Sequence, residues 1–475
     1  MTNIILLNEQ TRSVKKLFLY AIIFSSALTI YADDENYNGQ DVSGINLSES
    51  SLMNSSWIGT TAVGGIFKWT LFTYSDFTNA DFREANFYHA KLQSVTFANT
   101  NFTGSIIEGA NFYKSVETGF TKEHLYSTAS YKNKNLNRIV LACNNLNGWN
   151  FSGQNLVGAN FYDTILTNTN FLGANLSKAI FQYGIFSNTD FTDANLSNAN
   201  LEYEKFENVN LTNANLFGAR IGVSYIYQTS NSKNINFTNA NLTNVTFYGF
   251  GDMPTNINLT KSDLRGSNFI FETNGSYITK NTIMADGRIE NFFMISADDN
   301  FSIRKYAPAS EGGEMISAKI SETAAISGCA ALTLENGAEL EVLNAADLTV
   351  KNGSSIIINT DADSSTSFKV NSDGRLAFEN GAILEINVVS DMSARDTLQI
   401  VIMDFDDGAR IAGLDALIKD ETIQLSVNGS KWLGEWDYAL ENNQMLITVA
   451  VPEPAVCAAA IGALSLLLAV RRRMR

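Results

Sequence analysis

The sequence predicts an all-β protein in which a long coil of five-residue units is followed by a second β-rich domain. Apolar residues, nearly all of them large, recur at every fifth position from Val42 to Phe112, and again in one phase from Leu141 to Ile221. After Phe271 this period disappears, and short β-rich runs alternate with Asn-Gly and Asp-Gly pairs. A period of five fits neither the two-residue repeat of a strand nor the roughly 3.6-residue repeat of a helix, so the chain must turn a corner in every unit.

The composition excludes several classes of protein. The 475 residues include 33 basic and 49 acidic side chains, for a net charge of −16, and only 2 histidines and 3 cysteines. So few and such separated ligands cannot form a zinc cluster or a disulfide scaffold, and we expect neither a metal site nor a cofactor. The negative charge disfavours the nucleic-acid backbone, because Lys and Arg carry the affinity for phosphates. We therefore expect no nucleic-acid partner.

The first 32 residues have the pattern of an export signal. Basic residues precede the apolar run 17–28, and two aspartates follow Ala32. A charged start, a short apolar helix and a small residue before the mature chain are typical of a signal peptide. We expect residues 1–32 to be this signal, with cleavage after Ala32. Cleavage after Ala27 and an uncleaved anchor are the alternatives.

The repeat runs from residue 42 to residue 269 with a unit of the form Ala-Asn/Asp-Leu/Phe-x-x. Two positions before the large residue stand small ones: Ala80, Ala85, Ala90, Ala110, Ala159, Ala174, Ala194, Ala199 and Ala214. Asn or Asp usually lies between them, where its side chain can bond nearby backbone and support a turn. A third, broken block contains Phe237, Leu242, Phe247, Leu259, Leu264 and Phe269.

This pattern resembles the pentapeptide-repeat family. The resemblance implies a right-handed, quadrilateral β-helix in which four units form one coil, and coils of paired strands stack about 4.8 Å apart. Gln154 and Glu204 occupy positions of the small residue, and residues 253–257 shift the phase. We expect loops or bulges at these three places.

The segment 113–140 interrupts the repeat. Within it, residues 121–126 predict one helical turn with Thr121 as the N-cap. The segment is either a lateral loop or the seam between two stacks of coils. His124 in this segment and His89 in the repeat are isolated from other candidate ligands along the sequence, so we expect both to be surface or packing residues.

Residues 270–450 predict a different β domain. Three segments, 333–342, 349–358 and 377–386, share the order strand, Asn-Gly turn, strand. They are either consecutive hairpins, as in a sandwich, or rungs of a second solenoid like those of autotransporter passengers, which is the interpretation we favour.

Two further features belong to this domain. Strands near residues 398–403, 423–427 and 445–449 are expected to close it. The acidic clusters 361–363 and 404–407 are candidate calcium ligands, because hard cations bind several carboxylate oxygens. Neither cluster has the spacing of a known calcium loop, so solvated turns are the simpler interpretation.

The C-terminus has three parts in a fixed order. They are Pro452, Glu453 and Pro454, then the apolar stretch 455–470, then the arginines Arg471, Arg472 and Arg473. This arrangement resembles the PEP-CTERM sorting signal of exported bacterial proteins, here residues 451–475. The resemblance implies a transmembrane helix at 455–470, and as partners the export machinery and an exosortase-type processing enzyme. A simple tail anchor is the alternative.

Three functions are consistent with these features. The first is a non-enzymatic exported protein, tethered to the inner membrane as a precursor and then placed in the cell envelope or extracellular matrix, where exopolysaccharide or surface proteins are its partners. The second is a polysaccharide-acting enzyme, since β-helices also carry grouped carboxylates, although fold analogy alone supports it. The third is an acidic DNA mimic, as the family resemblance allows, but an export signal argues against a cytoplasmic target.

Overall fold

The structure is a computed structural model of the full chain. It describes residues 4–5, 29–30, 34–223, 233–248, 255–269, 277–290, 294–295, 300–308, 310, 315–322, 324–327, 330–343, 346–361, 366–371, 374–380, 382–389, 397–405, 409–412, 417, 423–427, 430–431, 436–441 and 444–450. Two compact units are present. The first comprises the described residues up to 262 with 267–269 and 277–278, and the second comprises 263–266 and the described residues from 279 onward.

Short strands form nearly all of the regular structure in the described ranges. The helices are α1 (Lys122–Ser127) and α2 (Ala129–Lys132). The strands of the first unit are β1 (Ile4–Ile5), β2 (Thr29–Ile30), β3 (Ile185–Ser187), β4 (Asn200–Asn210), β5 (Arg220–Val223), β6 (Lys233–Asn236), β7 (Thr246–Tyr248), β8 (Thr255–Asn258) and β9 (Tyr277–Ile278). Those of the second unit are β10 (Thr282–Ile283), β11 (Ile289–Glu290), β12 (Met294–Ile295), β13 (Phe301–Ile303), β14 (Ala318–Ile320), β15 (Ala324–Ile326), β16 (Ala331–Leu334), β17 (Glu339–Val342), β18 (Asp347–Val350), β19 (Ser355–Asp361), β20 (Ser367–Val370), β21 (Arg375–Phe378), β22 (Ile383–Val389), β23 (Thr397–Phe405), β24 (Arg410–Ala412), β25 (Ile423–Val427), β26 (Ser430–Lys431), β27 (Trp436–Glu441) and β28 (Gln444–Ala450).

The first unit is a four-sided coil, as the sequence predicted. Single residues bridge in parallel to their equivalents in the neighbouring coils, so that Asp81 pairs with Thr61 on one side and with Asn101 on the other. The same separation along the sequence recurs in both blocks of the repeat. It corresponds to four five-residue units in each coil, and the predicted β-helix is confirmed.

The large residue of every unit points into the coil. All predicted positions from Val42 to Phe112 and from Leu141 to Ile221 are buried. Four units per coil give four columns of buried side chains, represented by Phe77 and Phe97 in column one, Phe82 and Phe102 in column two, Phe67 and Phe87 in column three, and Phe72 and Leu92 in column four. Rings of successive coils stack on each other, as between Phe171 and Phe191, whose centroids are 5.0 Å apart at 2°.

The polar residues of the unit form its turns. The Asn before the large residue accepts a hydrogen bond from the backbone two residues later, as from the N–H of Tyr88 to Oδ1 of Asn86 at 3.0 Å. This is the turn support that the sequence predicted. The second residue after the large one has positive φ, for example 71° at Gly148 and 52° at Asn168. Gly and Asn are frequent there because they tolerate the left-handed region best.

Both blocks of the repeat begin one unit earlier than the sequence predicted. Tyr37 is buried and stacks on Trp57, with centroids 4.0 Å apart, so the first block includes it. Leu136 is fully buried, and its N–H donates to the carbonyl of Asn155, so the second block starts there instead of at Leu141. Tyr37 and Leu136 lie five positions before Val42 and Leu141, so both continue the five-residue period of the sequence.

The interruption is an insertion within one continuous stack. Helix α1 begins after Thr121, whose side chain accepts the N–H of His124, so the predicted N-cap is confirmed. Leu125 of α1 is fully buried in the core. The coil before the insertion pairs directly with the coil after it, because Asn111 bridges to Val140. The seam between two separate stacks is therefore excluded, and the helices form part of an enlarged coil.

The three predicted departures have different outcomes. Glu204 lies at a register shift in the pairing of β4 with β5, so the expected bulge is confirmed there. Gln154 causes no break, because its side-chain amide donates to the carbonyl of Tyr131 at 3.0 Å and the ladder continues through the next residue. Residues 253–254 lie outside the described residues, but Ile257 pairs with Ile235 where an unbroken phase would pair it with Phe237, which confirms the shift of phase.

The second unit is a solenoid with three parallel sheets. One sheet has the order β12-β15-β18-β21-β24, the next continues β13-β16-β19-β22-β25, and the third contains β14-β17-β20-β23. Each rung thus contributes one strand to every sheet. The three similar segments at 333–342, 349–358 and 377–386 are corners between two sheets, so the hairpin interpretation is wrong and the solenoid interpretation is right.

The interior and the closing strands of this unit follow the alternation of its sequence. Inward residues such as Leu332, Leu340 and Leu348 are fully buried and belong to one apolar core. All three predicted closing segments are strands, in β23, β25 and β28. The last pair, β27 and β28, runs antiparallel and adds to the edge of β23, which ends the parallel order of that sheet.

Candidate functional site

The sorting residues predicted from the sequence lie outside the described residues. They are Ala32, Pro452, Glu453, Pro454, Arg471, Arg472 and Arg473. The predicted apolar helices at 17–28 and 455–470 lie outside them as well. Among the residues that the structure does describe, no helix combines the length and the apolar character needed to cross a membrane.

The two histidines have local structural roles. The N–H of Thr121 donates to Nδ1 of His124 at 3.0 Å, which completes a capping box at the start of α1. Burial lowers the pKa of His124, so the ring is neutral and can accept this bond. No group of three or more metal-ligating side chains occurs among the side chains that the structure describes. The side chains of the two acidic clusters, 361–363 and 404–407, lie outside them.

Two edges of the four-sided coil consist of side chains that satisfy one another. The asparagine edge, formed by turn residues after column one, contains Asn168, Asn188, Asn208, Asn234 and Asn256. Each amide donates to the Oδ1 of its predecessor at 2.6 to 3.2 Å. The edge after column two continues this arrangement, for example from Asn213 to Asp193 at 2.9 Å. These ladders stabilise the stack and use the polar groups that a ligand would otherwise contact.

The other two edges carry aromatic side chains. We call the surface they border the aromatic face, defined by the turn residues after columns three and four: Trp69, Tyr74, Tyr88, His89, Tyr113, Tyr162, Tyr183 and Tyr248. Every Trp or Tyr side chain that the structure describes as exposed belongs to it, with exposed fractions of 50% for Trp69, 67% for Tyr74, 39% for Tyr162 and 41% for Tyr248. Exposed aromatic residues are thus concentrated on one of the four sides.

Trp69 is held in a defined orientation. Its ring lies parallel to the ring of His89, with centroids 4.1 Å apart at 2°, and the ring of Tyr88 meets both at their edges. The His89 ring in turn covers Gly109, where a Cβ atom would approach it to 2.5 Å. Burial, the main cause, and the nearby Arg138 lower the pKa of His89, so this stack contains a neutral imidazole.

Polar side chains lie between the aromatic ones. The amide of Asn111 donates to Gln93 at 2.7 Å, next to Tyr113. At the far end of the face, Glu202 accepts hydrogen bonds from Gln182 at 3.0 Å and from Nε of Arg220 at 2.8 Å. The Arg220 guanidinium lies 5.0 Å from the centre of the Tyr248 ring. Amide, carboxylate and guanidinium groups are therefore positioned beside aromatic rings in the middle and at the far end of the face.

The repeat identified in the coil matches a known family. Eight copies of the family described as Pentapeptide repeats match within residues 58–116 and 145–221. The chain is a pentapeptide-repeat protein. The matched residues include most of the aromatic face of this pentapeptide-repeat protein, from Trp69 to Tyr183, whereas the second unit lies outside them.

Solved structures resemble parts of the pentapeptide-repeat unit. HetL from the cyanobacterium Nostoc is 18% identical over 58% of this chain and 98% of its own, with a TM-score of 0.26. A pentapeptide repeat protein from the Arabidopsis thaliana thylakoid lumen is 36% identical over 22% of this chain and 67% of its own, with a TM-score of 0.20. One from the cyanobacterium Cyanothece is 22% identical over 33% and 98%, with a TM-score of 0.17. No curated protein matches the chain.

The aromatic face was not found by sequence analysis. A period of five assigns the buried residues, but it treats the turn residues of all four edges as equivalent. A period equal to the length of one whole coil separates the four edges. At that period Trp69 and His89 align on one edge, and Tyr162 aligns with Gln182 beside Tyr183 on the next.

Proposed function

We propose that this pentapeptide-repeat protein is a non-enzymatic scaffold of the bacterial cell surface that binds other surface molecules. The observation that carries the proposal is the combination of a stack whose edges hydrogen-bond to themselves with one side that exposes aromatic rings. Two edges of the coil use their amides in ladders between coils, as from Asn188 to Asn168, which makes the stack rigid. The aromatic face instead exposes rings such as Trp69 and Tyr74. An exposed aromatic surface on a rigid support is typical of an interaction site.

The proposed location depends on the two ends of the chain. We infer that residues 1–32 direct export and are removed after Ala32. The stretch 455–470 then holds the precursor in the inner membrane, because the terminal arginines favour the cytoplasmic side. Pro452, Glu453 and Pro454 are the recognition element of an exosortase-type enzyme, since two prolines keep this tripeptide extended and accessible.

Mass spectrometry of the mature protein, combined with cell fractionation, tests this location. The mature chain is expected outside the cytoplasm and without the arginines 471–473. The variant Glu453→Ala should be exported but keep its C-terminus, whereas Glu117→Ala, a change at an exposed turn residue, should be processed normally. If the wild-type chain retains Arg475 in cells that carry the exosortase-type enzyme, the sorting signal is contradicted and the C-terminus is a simple tail anchor.

The same fractionation separates the proposal from the acidic DNA mimic. A mimic must share the compartment of its nucleic-acid-binding target, so recovery of the folded chain from the cytoplasm alone would favour it. The polysaccharide-acting enzyme is distinguished by a different measurement. If the purified protein shortens exopolysaccharide chains, as monitored by size-exclusion chromatography of the polymer, it is an enzyme and the proposed scaffold function is wrong.

A further inference from the structure

The aromatic face has the chemistry of a sugar-binding platform. The flat side of a pyranose ring presents C–H groups, which pack on aromatic rings, and its rim presents hydroxyls, which need hydrogen-bond partners. Trp69 and Tyr74 supply exposed rings on the two edges of one coil, with the half-exposed Leu71 between them. Tyr and Trp offer such contact area at small entropic cost, because they have few rotatable bonds.

The rings are organised before any ligand binds. Trp69 is fixed between solvent and the His89 ring, and Tyr88 supports both. Further along, Tyr162 and Tyr183 on successive coils meet edge to face, with centroids 5.4 Å apart. A side chain that is already ordered loses little rotamer entropy on binding, so its contacts contribute more of their energy to affinity.

Hydrogen-bonding groups accompany the rings in the middle and at the far end of the face. Gln93 and Asn111 lie beside Tyr113, and Asp163 lies within 3.6 Å of the Cys143 thiol on the same edge. At the end of the face, Glu202 is joined to Gln182 and Arg220. Amides and carboxylates are suitable partners for sugar hydroxyls, since they accept and donate in well-defined directions.

The distribution of charge favours an uncharged ligand. Basic and acidic residues are interspersed on the face, as with Lys114 and Asp163, which both lie near Cys143, and with Arg220 beside Glu202, so neither sign dominates locally. The whole chain carries a net charge of −16, which repels polyanions at long range. An acidic polymer would therefore have to overcome this repulsion without a compensating basic groove.

The repeat length of the face fits a polymer. Successive coils are about 4.8 Å apart, the spacing of paired strands, and this is close to the length of one sugar residue in an extended chain. The aromatic residues recur over the coils from Trp69 to Tyr248. A linear glycan could therefore present one ring to each coil, whereas a single sugar would use only a small part of the face.

From these observations we infer that the aromatic face binds an extended, uncharged polysaccharide. This inference rests on the proposed surface function and names the partner class of that function. Trp69, Tyr74 and Tyr162 are the stacking residues, and Gln93, Asn111 and Gln182 contact the hydroxyls. Binding is the sum of several weak stacking contacts at separate points along the face, from the coil of Trp69 and Tyr74 to the coil of Tyr162, so affinity rises with the length of the glycan chain.

Affinity electrophoresis of the purified full-length chain tests the inference. The gels contain hydroxyethyl cellulose, glucomannan or galactomannan as uncharged polymers, and alginate as the acidic one. The wild-type chain is expected to be retarded by at least one uncharged polymer and not by alginate. The variant Trp69→Ala should weaken the interaction roughly tenfold, and the triple variant W69A/Y74S/Y162S should abolish it.

A matched control comes from another edge of the same stack. Leu172 is 42% exposed in a turn after column two, so Leu172→Ser removes an exposed apolar side chain without touching the aromatic face. Its binding should equal that of the wild type. Circular dichroism and thermal unfolding establish that all variants remain folded, which the exposed positions of the substitutions favour.

Several outcomes would overturn the inference. Wild-type protein that is not retarded by any uncharged polymer, or a triple variant that binds as well as the wild type, removes the face as a glycan site. Retardation by alginate alone would make the ligand acidic. A wild-type dimer in sedimentation experiments that the triple variant converts to a monomer would identify a second copy as the occupant. Because the assay uses purified protein, its failure with normal export would leave the proposed location standing.

Discussion

The two units of the molecule build a solenoid in different ways. In the first unit, most coils have one fixed length, which is the separation between Asp81 and Asn101. In the second unit the length varies, because Leu332 pairs with Ile356 whereas Leu384 pairs with the much more distant Ile423. When every coil has the same length, the same residue types must recur at each corner. When the corners vary in length, only the strands between them need a pattern, in which inward and outward residues alternate. This difference explains why the first solenoid is visible as a period in the sequence and the second is not.

The interiors of the two units differ as well. The first is filled by stacked aromatic rings such as Phe171, and the second mainly by Leu, Ile, Val and Ala. The second unit also contains a buried ion pair. Arg265 and Asp263 are 0% and 1% exposed, with two hydrogen bonds between their side chains at 3.0 and 2.7 Å. Arg265 also donates to two backbone carbonyls, so its charge is fully coordinated.

The largest effect is expected when this pair is broken. Asp263→Ala leaves the Arg265 guanidinium buried without its counter-ion, which should cost about 3 to 5 kcal/mol of the second unit's stability. The first unit supplies a matched control in Asp81, which has the same spacing to Arg83 and a 2.7 Å ion pair that is largely exposed. Asp81→Ala should cost no more than about 1 kcal/mol.

Hydrogen-exchange mass spectrometry measures both variants, because it reports protection separately for peptides of each unit. Loss of protection confined to the second unit is expected for Asp263→Ala. If the two variants lost equal protection, burial of the pair would have no energetic consequence, and the contrast between the interiors would fail.

A comparable loss is expected in the aromatic interior of the first unit. Phe171 stacks between Phe151 and Phe191, at 5.1 and 5.0 Å, so Phe171→Ala opens a cavity and should cost about 3 to 5 kcal/mol. Its neighbour Asn170 offers the control, since Ser can also accept the N–H of Leu172 and Asn170→Ser should cost little. Thermal unfolding of the two variants decides the matter, and equal losses would contradict the assignment of inward and outward positions.

The sequence predicted the fold of the first unit because one side-chain position determines each corner. Buried Phe and Leu, small residues before them and Asn at the turn all recur with the same period, so local and global signals agree. The second unit has only short alternating strands, which fit hairpins and rungs equally well. What decides between them is the pairing of β16 with β19 across a coil, and this long-range contact has no local sequence signal.

A smaller effect is expected at the turns of the first unit. Gly148 has a φ of 71° and no atom near its missing Cβ, so Gly148→Ala tests backbone strain alone and should cost about 1 to 2 kcal/mol. The aligned turn residue of the next coil, Asn168, has a φ of 52° and a side chain in the asparagine edge. Asn168→Gly should relieve strain but remove two ladder bonds, one to Asn147 and one from Asn188, so its net effect on the melting temperature should be smaller. A larger loss at Asn168 would show that the ladder outweighs the backbone.

The candidate site could not be predicted from the same pattern, for a physical reason. Turn residues such as Trp69 and Asn168 point to solvent, so the core does not restrict their identity. Whether such residues form a common surface depends on which side of the coil each occupies. That side can be assigned only when the coil length and the path of the insertion between Phe112 and Leu136 are known. Once Asn111 is seen to pair with Val140, the residues on either side of the insertion can be assigned to common edges.

The smallest effect is expected in the inserted helix α1, which differs from the regular coils in containing a histidine that caps it. Burial lowers the pKa of His124 below its ordinary value of about 6.5, with Glu123 as the opposing influence. A histidine that is harder to protonate in the folded state stabilises α1 fully above the unfolded pKa, and this stability is lost as the pH falls through that value toward the folded pKa. A protonated Nδ1 also cannot accept the N–H of Thr121. Protection of the α1 amides, corrected for intrinsic exchange, should therefore fall between pH 7 and pH 5, a window of about two units around the ordinary pKa.

The variant His124→Gln keeps an acceptor for the capping box but does not titrate, so the protection of its α1 amides should stay constant over this pH range. His89→Gln should retain the wild-type response in α1, and a response that disappears in His89→Gln instead would move the pH-sensitive group from the insertion to the aromatic face.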